Sequence, residues 1–419
     1  MINDKKDRKT VIYFNVFKKN ERRGEKMKNI KRIAAIVLAC MSVVGVSGCQ
    51  NKNPNDSTGD NGDVPSGIQM KDDIVLKDVE RAKNVILLIG DGMGRNHVHA
   101  GEVYNESKLA MQNFPYSVHV ETCSYDAEVT DSAAGATAMA TGKRTNNGCV
   151  ALDPITEEPL ETIVDIAASL GKRTGVITTD ELTGATPMGF ASHSALRGSV
   201  GDLFAGIKSS NVNLFISNDF SGEVNVMNAG YKKIGQPANI SEATEEKIYG
   251  IYNIMAYTKE SMHVGKDYCS FDGIVTEALE YLSKDEDGFF LMAEGALIDK
   301  RSHSNSFERM LWELMSFDNM VKAVVNWAEN RDDTVVIVTA DHETGGLQLA
   351  EGITKKNMFY GTSFANGGYY QWSSGEHTSD DVYCFINGAN IDFSQYSFNS
   401  ASRIKNTDIF YIMKALLGV

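Results

Sequence analysis

Apolar residues in this chain fall into short, nearly continuous runs. Between the runs lie longer stretches in which apolar positions recur every three or four residues. Residues 85–89, 174–178, 214–216, 289–292 and 335–338 form the runs. A strand that is apolar on both sides is covered on both sides, so these segments predict buried strands. Residues 132–141, 160–170, 271–282, 305–329 and 406–417 carry the longer period and predict helices. Strand and helix in alternation predict an α/β fold, a three-layer sandwich with a large, mostly parallel central sheet and helices on both faces. Residues 221–266 are less regular and predict loops and short helices. Residues 345–372, rich in glycine, aromatic and polar groups, predict a surface excursion. In parallel sheets of this kind, ligands sit beyond the carboxyl ends of the strands. Asp91, Glu294 and the pair Asp341-His342 follow apolar runs and fall at such ends.

The N-terminus obeys a different pattern. From Met27, a segment with Lys28, Lys31 and Arg32 leads into an apolar stretch over 33–46 and then Val46-Ser47-Gly48-Cys49. The stretch is short for a membrane span. The order of positive, apolar and small residues before a cysteine resembles a bacterial lipoprotein signal, which predicts export and anchoring to the cell membrane through a lipidated Cys49. Residues 1–26 read as a start placed too early, 27–49 as the signal, 50–67 as a flexible tether about 25 Å long on average, and 68–419 as one catalytic domain. Residues 1–49 hold 12 of the 41 basic and 4 of the 55 acidic residues, so the remainder carries 29 against 51, a formal charge of −22. That surface argues against binding nucleic acid, and an anionic substrate needs local cations to draw it in. Beyond the signal, Cys123, Cys149, Cys269 and Cys384 remain. Four cysteines allow three pairings, and buried thiols or one structural bridge are both open.

The candidate chemistry is scattered along the chain. Ser132 opens a run of small residues at a predicted helix start, where backbone N–H groups favour a phosphoryl group. Taken alone, this segment reads more readily as a helix cap at Asp131 or Ser132. Asp299 and His303, spaced i, i+4, share a helix face and offer carboxylate and imidazole to a metal. Asp341-His342 at a strand end can supply a second ion, and His377 stands alone. Glu294 and Thr186 present hard oxygens suited to magnesium. Arg197 offers a planar fork to two phosphate oxygens. Together these groups point to hydrolysis of phosphate esters on divalent metals. His193 reads as a packed histidine, and His97, His99, His119 and His263 as surface or loop residues.

Segment by segment, the chain resembles the alkaline phosphatase family. The matching blocks are Asn84-Val-Ile-Leu-Leu-Ile-Gly-Asp-Gly-Met-Gly94, Val129-Thr-Asp-Ser-Ala-Ala-Gly-Ala-Thr-Ala138, Ala185-Thr-Pro187 through His193 to Arg197, Glu294-Gly-Ala-Leu-Ile-Asp-Lys300 with His303, Val338-Thr-Ala-Asp-His-Glu-Thr-Gly-Gly346 and Gly375-Glu-His-Thr378. The resemblance implies a phosphate monoesterase with two zinc ions and one magnesium ion. Asp299, His303 and His377 would hold one zinc, and Asp91, Asp341 and His342 the other. Asp91, Thr186 and Glu294 would hold magnesium. Ser132 would form a phosphoseryl intermediate, Arg197 would clamp the phosphate, and Lys300 would touch it through water. A homodimer is a further expectation of the resemblance. One position departs from the family pattern: two residues before Thr186, where Asp or His is usual, stands Gly184, so Lys300 loses a partner. Asp180 or Glu181 is near enough to take that place. Two other functions are compatible with parts of the sequence: a phosphodiesterase of the same superfamily, and a substrate-binding lipoprotein of a transporter.

Overall fold

The computed structural model describes residues 81–218, 221–254, 268–361, 363–388 and 402–419. They belong to one compact unit. The predicted signal, the tether and His263 lie outside the described residues. No helix among the described residues is long and apolar enough to cross a membrane.

Ten strands pair into one sheet. In chain order they are β1 (Asn84–Gly90), β2 (Tyr116–Glu121), β3 (Arg173–Glu181), β4 (Leu214–Asn218), β5 (Lys232–Lys233), β6 (Ile248–Ile251), β7 (Phe289–Gly295), β8 (Thr334–Thr339), β9 (Val382–Gly388) and β10 (Arg403–Lys405). Their order across the sheet is β10-β2-β9-β8-β1-β7-β3-β4-β6-β5. Strand β9 alone runs against the rest. The central strands β1, β7 and β8 are buried at every position, as continuous apolar runs require when helices cover both faces. Each of the five predicted runs lies inside one of these strands.

Among the described residues, ten helices flank the sheet: α1 (Arg95–Asn105), α2 (Ser132–Thr141), α3 (Ile163–Ser169), α4 (Ala185–Ala191), α5 (Val200–Ser209), α6 (Glu223–Asn228), α7 (Phe271–Leu282), α8 (Leu297–His303), α9 (Phe307–Ala328) and α10 (Asp408–Leu417). Helix α9 packs on α1, α7 and α8, while α2 packs on α3, α4 and α10, giving one helical layer on each face. The irregular stretch after 221 corrects the sequence-based expectation. Besides the short helix α6 it contributes β5 and β6, which extend the sheet at one edge. The 345–372 excursion carries a small hairpin, Leu347–Leu349 against Tyr370–Trp372.

Helix α2 shows how composition sets position. The Asp131 carboxylate accepts a hydrogen bond from Ala134 N at 2.9 Å and starts the helix, and Gly142 in the left-handed conformation ends it. All ten residues are buried, although the helix is built from Ser, Ala, Gly, Thr and one Met. Their small size lets two neighbours come close. A Cβ on Gly135 would sit 3.1 Å from the Asp341 side chain, and one on Gly189 of α4 would sit 2.8 Å from the Ala136 Cβ. The N-terminus of α2, with Ser132, is thereby held against the end of β8.

Candidate active site

Strands β1, β7 and β8 are adjacent and parallel, so their carboxyl ends deliver Asp91, Glu294 and Asp341 to one place. Gly92 permits the tight turn after Asp91. Its φ is +69°, and an added Cβ would lie 2.9 Å from the Asp299 backbone. Its N–H donates to Asp341 Oδ1 at 3.1 Å. The turn after β7 leads into α8, which carries Asp299 and His303 on one face, 3.3 Å apart from Oδ1 to Nε2. His377 reaches the same carboxylate oxygen, 3.6 Å from its Nε2, and lies 3.2 Å from His303 Nε2.

The three imidazoles have a common orientation. His377 Nδ1 donates to the Thr130 carbonyl at 2.9 Å, and His303 Nδ1 to the Gly375 carbonyl at 2.6 Å. Thr344 Oγ1 donates to Asp299 Oδ1 at 2.6 Å, so it can only accept from His342 Nδ1, 3.2 Å away. Each Nδ1 therefore carries the proton, and each Nε2 presents a lone pair to the site. His342 Nε2 lies 3.5 Å from Asp91 Oδ1 and 3.3 Å from Asp341 Oδ2. Both oxygens are buried without a hydrogen bond, as is Thr186 Oγ1 at the start of α4. Buried acceptors left bare are costly unless a cation completes them. Two clusters have a metal-ligand arrangement: Asp299, His303 and His377; and Asp91, Asp299 and His342. The Ser132 hydroxyl stands beside them, its Oγ 3.2 Å from His342 Nε2.

Burial dominates the electrostatics of this group. The Asp91 carboxyl is held well above its usual pKa by desolvation first, then by the charges of Asp341, Asp299 and Glu294. Burial raises Asp341 as well, and pushes Glu294 up to about 8, with the Thr178 hydroxyl opposing at 2.5 Å and the charge of Asp180 adding to the rise. Burial and then His377 lower His342 to about 3, so this ring is neutral at any working pH. Several buried acids crowded together, with neutral imidazoles aimed between them, suit divalent cations and little else.

Two cationic side chains flank the site, and each is paired with a carboxylate. Arg197 is about two-fifths exposed, and its Nη1 meets Asp131 Oδ2 at 3.0 Å. The same oxygen accepts from Gly148 N, and Arg197 N donates to the Gly148 carbonyl, so the guanidinium is tethered beside Ser132. Lys300 pairs with Asp180 at the end of β3.

The candidate site residues Asp91, Ser132, Thr186, Arg197, Glu294, Asp299, Lys300, His303, Asp341, His342 and His377 come to this one locality, whereas His193 Nε2 bonds the Leu160 carbonyl as a packed histidine. His97 requires a correction. It is fully buried in α1, with Nε2 3.0 Å from Ser302 Oγ, because the polar sequence of α1 hides an inward face. His99 is exposed beside Glu102, and His119 lies on β2. Sequence reasoning missed the orienting roles of Thr130, Thr178 and Thr344. A threonine at a strand end or in a turn carries no signal of its own. Cys123, Cys149, Cys269 and Cys384 form no disulfide bridge with one another.

A model of the alkaline phosphatase family matches residues 82–246 and 225–367. The chain belongs to the alkaline phosphatase family. Most of the similar curated proteins carry that name. Alkaline phosphatase 3 of Bacillus subtilis is 33% identical over 301 residues, 65% of this chain and 64% of its own length, so the match spans just under two thirds of that relative. The alkaline phosphatase of Escherichia coli is 27% identical, over 81% of this chain and 86% of its own. Among solved structures, the alkaline phosphatase of the Antarctic bacterium TAB5 superposes with a TM-score of 0.69 at 26% identity, covering 81% of this chain and 98% of that one. The cold-active enzyme of a Shewanella species gives 0.70 at 25%, covering 80% and 100%. His377 lies beyond the family-model match, and its place in the cluster rests on geometry.

Proposed function

We propose that this protein is a phosphate monoesterase that works through a phosphoseryl intermediate on Ser132, with two zinc ions and one magnesium ion. The observation that carries the proposal is the Ser132 hydroxyl set against bare, convergent Nε2 and carboxylate donors at a helix N-terminus. Asp299, His303 and His377 form one zinc set, and Asp91, Asp341 and His342 the other. Glu294 and Thr186, with Asp91, offer the hard oxygens for magnesium. Bound there, the cations supply charge neutralisation for the phosphate and for the oxygens that enter and leave.

The side chains divide the remaining work. Arg197 binds two phosphate oxygens, and Asp131 holds it in place for that task. The positive end of α2 faces the same group. Ser132 Oγ attacks phosphorus in line: the Oγ–P bond forms, the ester P–O bond breaks, and the alcohol departs with a proton. Water then attacks the phosphoserine, phosphate leaves, and Ser132 regains its proton. His342 would not be the base, since its Nε2 belongs to the proposed zinc set and its Nδ1–H is held by Thr344 Oγ1.

The N-terminal segment supports export and lipid anchoring at Cys49, with the acidic domain held off the membrane by residues 50–67. Turnover of p-nitrophenyl phosphate with zinc and magnesium added, and its loss in Ser132→Ala, tests the activity. Faster turnover of the bis ester replaces the monoesterase by a phosphodiesterase. Tight phosphate binding with no turnover under any metal condition replaces it by a binding protein.

A further inference from the structure

Gly184 removes a side chain from the entrance to α4, the helix that brings Thr186 to the site. The space is not idle. A Cβ built on Gly184 would lie 3.5 Å from Asp180 Oδ2, and the other oxygen of that carboxylate, Oδ1, holds the Lys300 ammonium. Asp180 stands at the end of β3, next in the sheet to β7 and Glu294. Its backbone N–H donates to Thr178 Oγ1 at 2.9 Å, and that hydroxyl donates to Glu294 Oε2 at 2.5 Å. The charge of Asp180 is among the causes that raise Glu294, so the two carboxylates sense each other. Glu181, the other acid nearby, is exposed and pairs its backbone with β4, with its carbonyl accepting from Gly184 N.

We infer that Asp180 is a positioning residue for the Thr186–Glu294 cation site and for Lys300, filling from the strand end the place that Gly184 leaves without a side chain. The inference rests on the phosphatase reading above. Asp180 has two tasks in it. One carboxylate oxygen restrains Lys300, which limits how tightly the ammonium holds phosphate. The whole carboxylate adds negative charge beside the hard-oxygen site and so favours magnesium there.

The two tasks predict opposite effects of one substitution. In Asp180→Asn, magnesium binding to zinc-loaded protein, read by calorimetry, weakens roughly 10–100-fold. Inhibition by inorganic phosphate, measured at saturating magnesium, becomes tighter because the Lys300 charge is no longer paired. In the Lys300→Met background, the same Asn substitution leaves phosphate inhibition where it was. A general loosening of the site would instead weaken magnesium and phosphate together, and that result overturns the inference, as does an Asp180→Asn protein that matches wild type in both. Melting curves of each variant separate unfolding from these outcomes: an Asp180→Asn protein that melts at the wild-type temperature yet shows neither change also refutes it. If the wild-type protein itself binds no magnesium and is not inhibited by phosphate, the phosphatase reading fails rather than the role of Asp180.

Discussion

Removing the cations should make this protein lose stability as the pH rises. Glu294 carries the signal among the acids: burial lifts its carboxyl from 4.5 to about 8 in the metal-free fold. Between those values the folded protein keeps a proton that the unfolded chain has released. The unfolded state therefore binds fewer protons, and stability falls with increasing pH across that window. At 1.36 kcal/mol per pH unit, the loss from Glu294 alone is on the order of 5 kcal/mol by pH 8. For a domain of roughly 340 residues, that is about 7 °C in melting temperature. Asp91 and Asp341 are displaced in the same direction by burial and add to the effect. Burial instead lowers His97 and His342 to about 3, which returns stability as the pH rises to 6.5, so the loss is read between pH 6.5 and pH 8. Bound cations hold these carboxylates ionised and remove the loss. The assay is thermal unfolding at pH 5, 6.5 and 8, with chelator and with zinc plus magnesium. The gap between the two forms should be small at pH 5 and widen to at least several degrees at pH 8. A chelated protein whose melting temperature stays level or rises from pH 6.5 to pH 8 would refute the reasoning.

Other outcomes follow from single contacts. Gly92→Ala should weaken metal binding and lower the melting temperature, because a Cβ there meets Asp299 at 2.9 Å with φ at +69°; zinc content after dialysis reads the first effect. Arg197→Lys should weaken phosphate inhibition and raise KM more than it lowers kcat, since an ammonium cannot engage two oxygens at once; steady-state kinetics decide. Thr344→Val should reduce zinc affinity roughly 10–100-fold by freeing the ring of His342 and the carboxylate of Asp299 together, measured by competition with a chelating dye. Cys49→Ala should move the protein from the membrane fraction to the soluble one.

The layout of the sheet was readable because its central strands are apolar on both faces and need no partner to be recognised. Residues 85–89, 289–292 and 335–338 lie within β1, β7 and β8, and the boundaries of α2 and α7 coincide with those expected from the sequence. Strands β2 and β9 escaped notice because they lie toward one edge, where burial is mixed and the apolar run breaks up. Strands β5 and β6 are short and sit in a loop-rich stretch, so only pairing reveals them. Helix α1 lacks a clean apolar stripe, and part of its buried face is a histidine. At the site, residue types that bind metal were visible at strand ends, and their blocks matched a family in order. Their orienting partners were not, since a carbonyl such as that of Thr130 or Gly375 is the same in every residue. The substitute for the missing side chain at 184 could be narrowed to two acids by distance along the chain, but only the fold distinguishes Asp180 from Glu181.

Anomalous diffraction at the zinc absorption edge, from crystals grown with zinc and phosphate, bears most directly on the idea that scattered acids and imidazoles enclose the Ser132 hydroxyl with metal ions. Two peaks are expected, one bounded by Asp299, His303 and His377 and one by Asp91, Asp341 and His342, with the serine oxygen beside them. Peaks only elsewhere on the molecule, or none, would contradict the account.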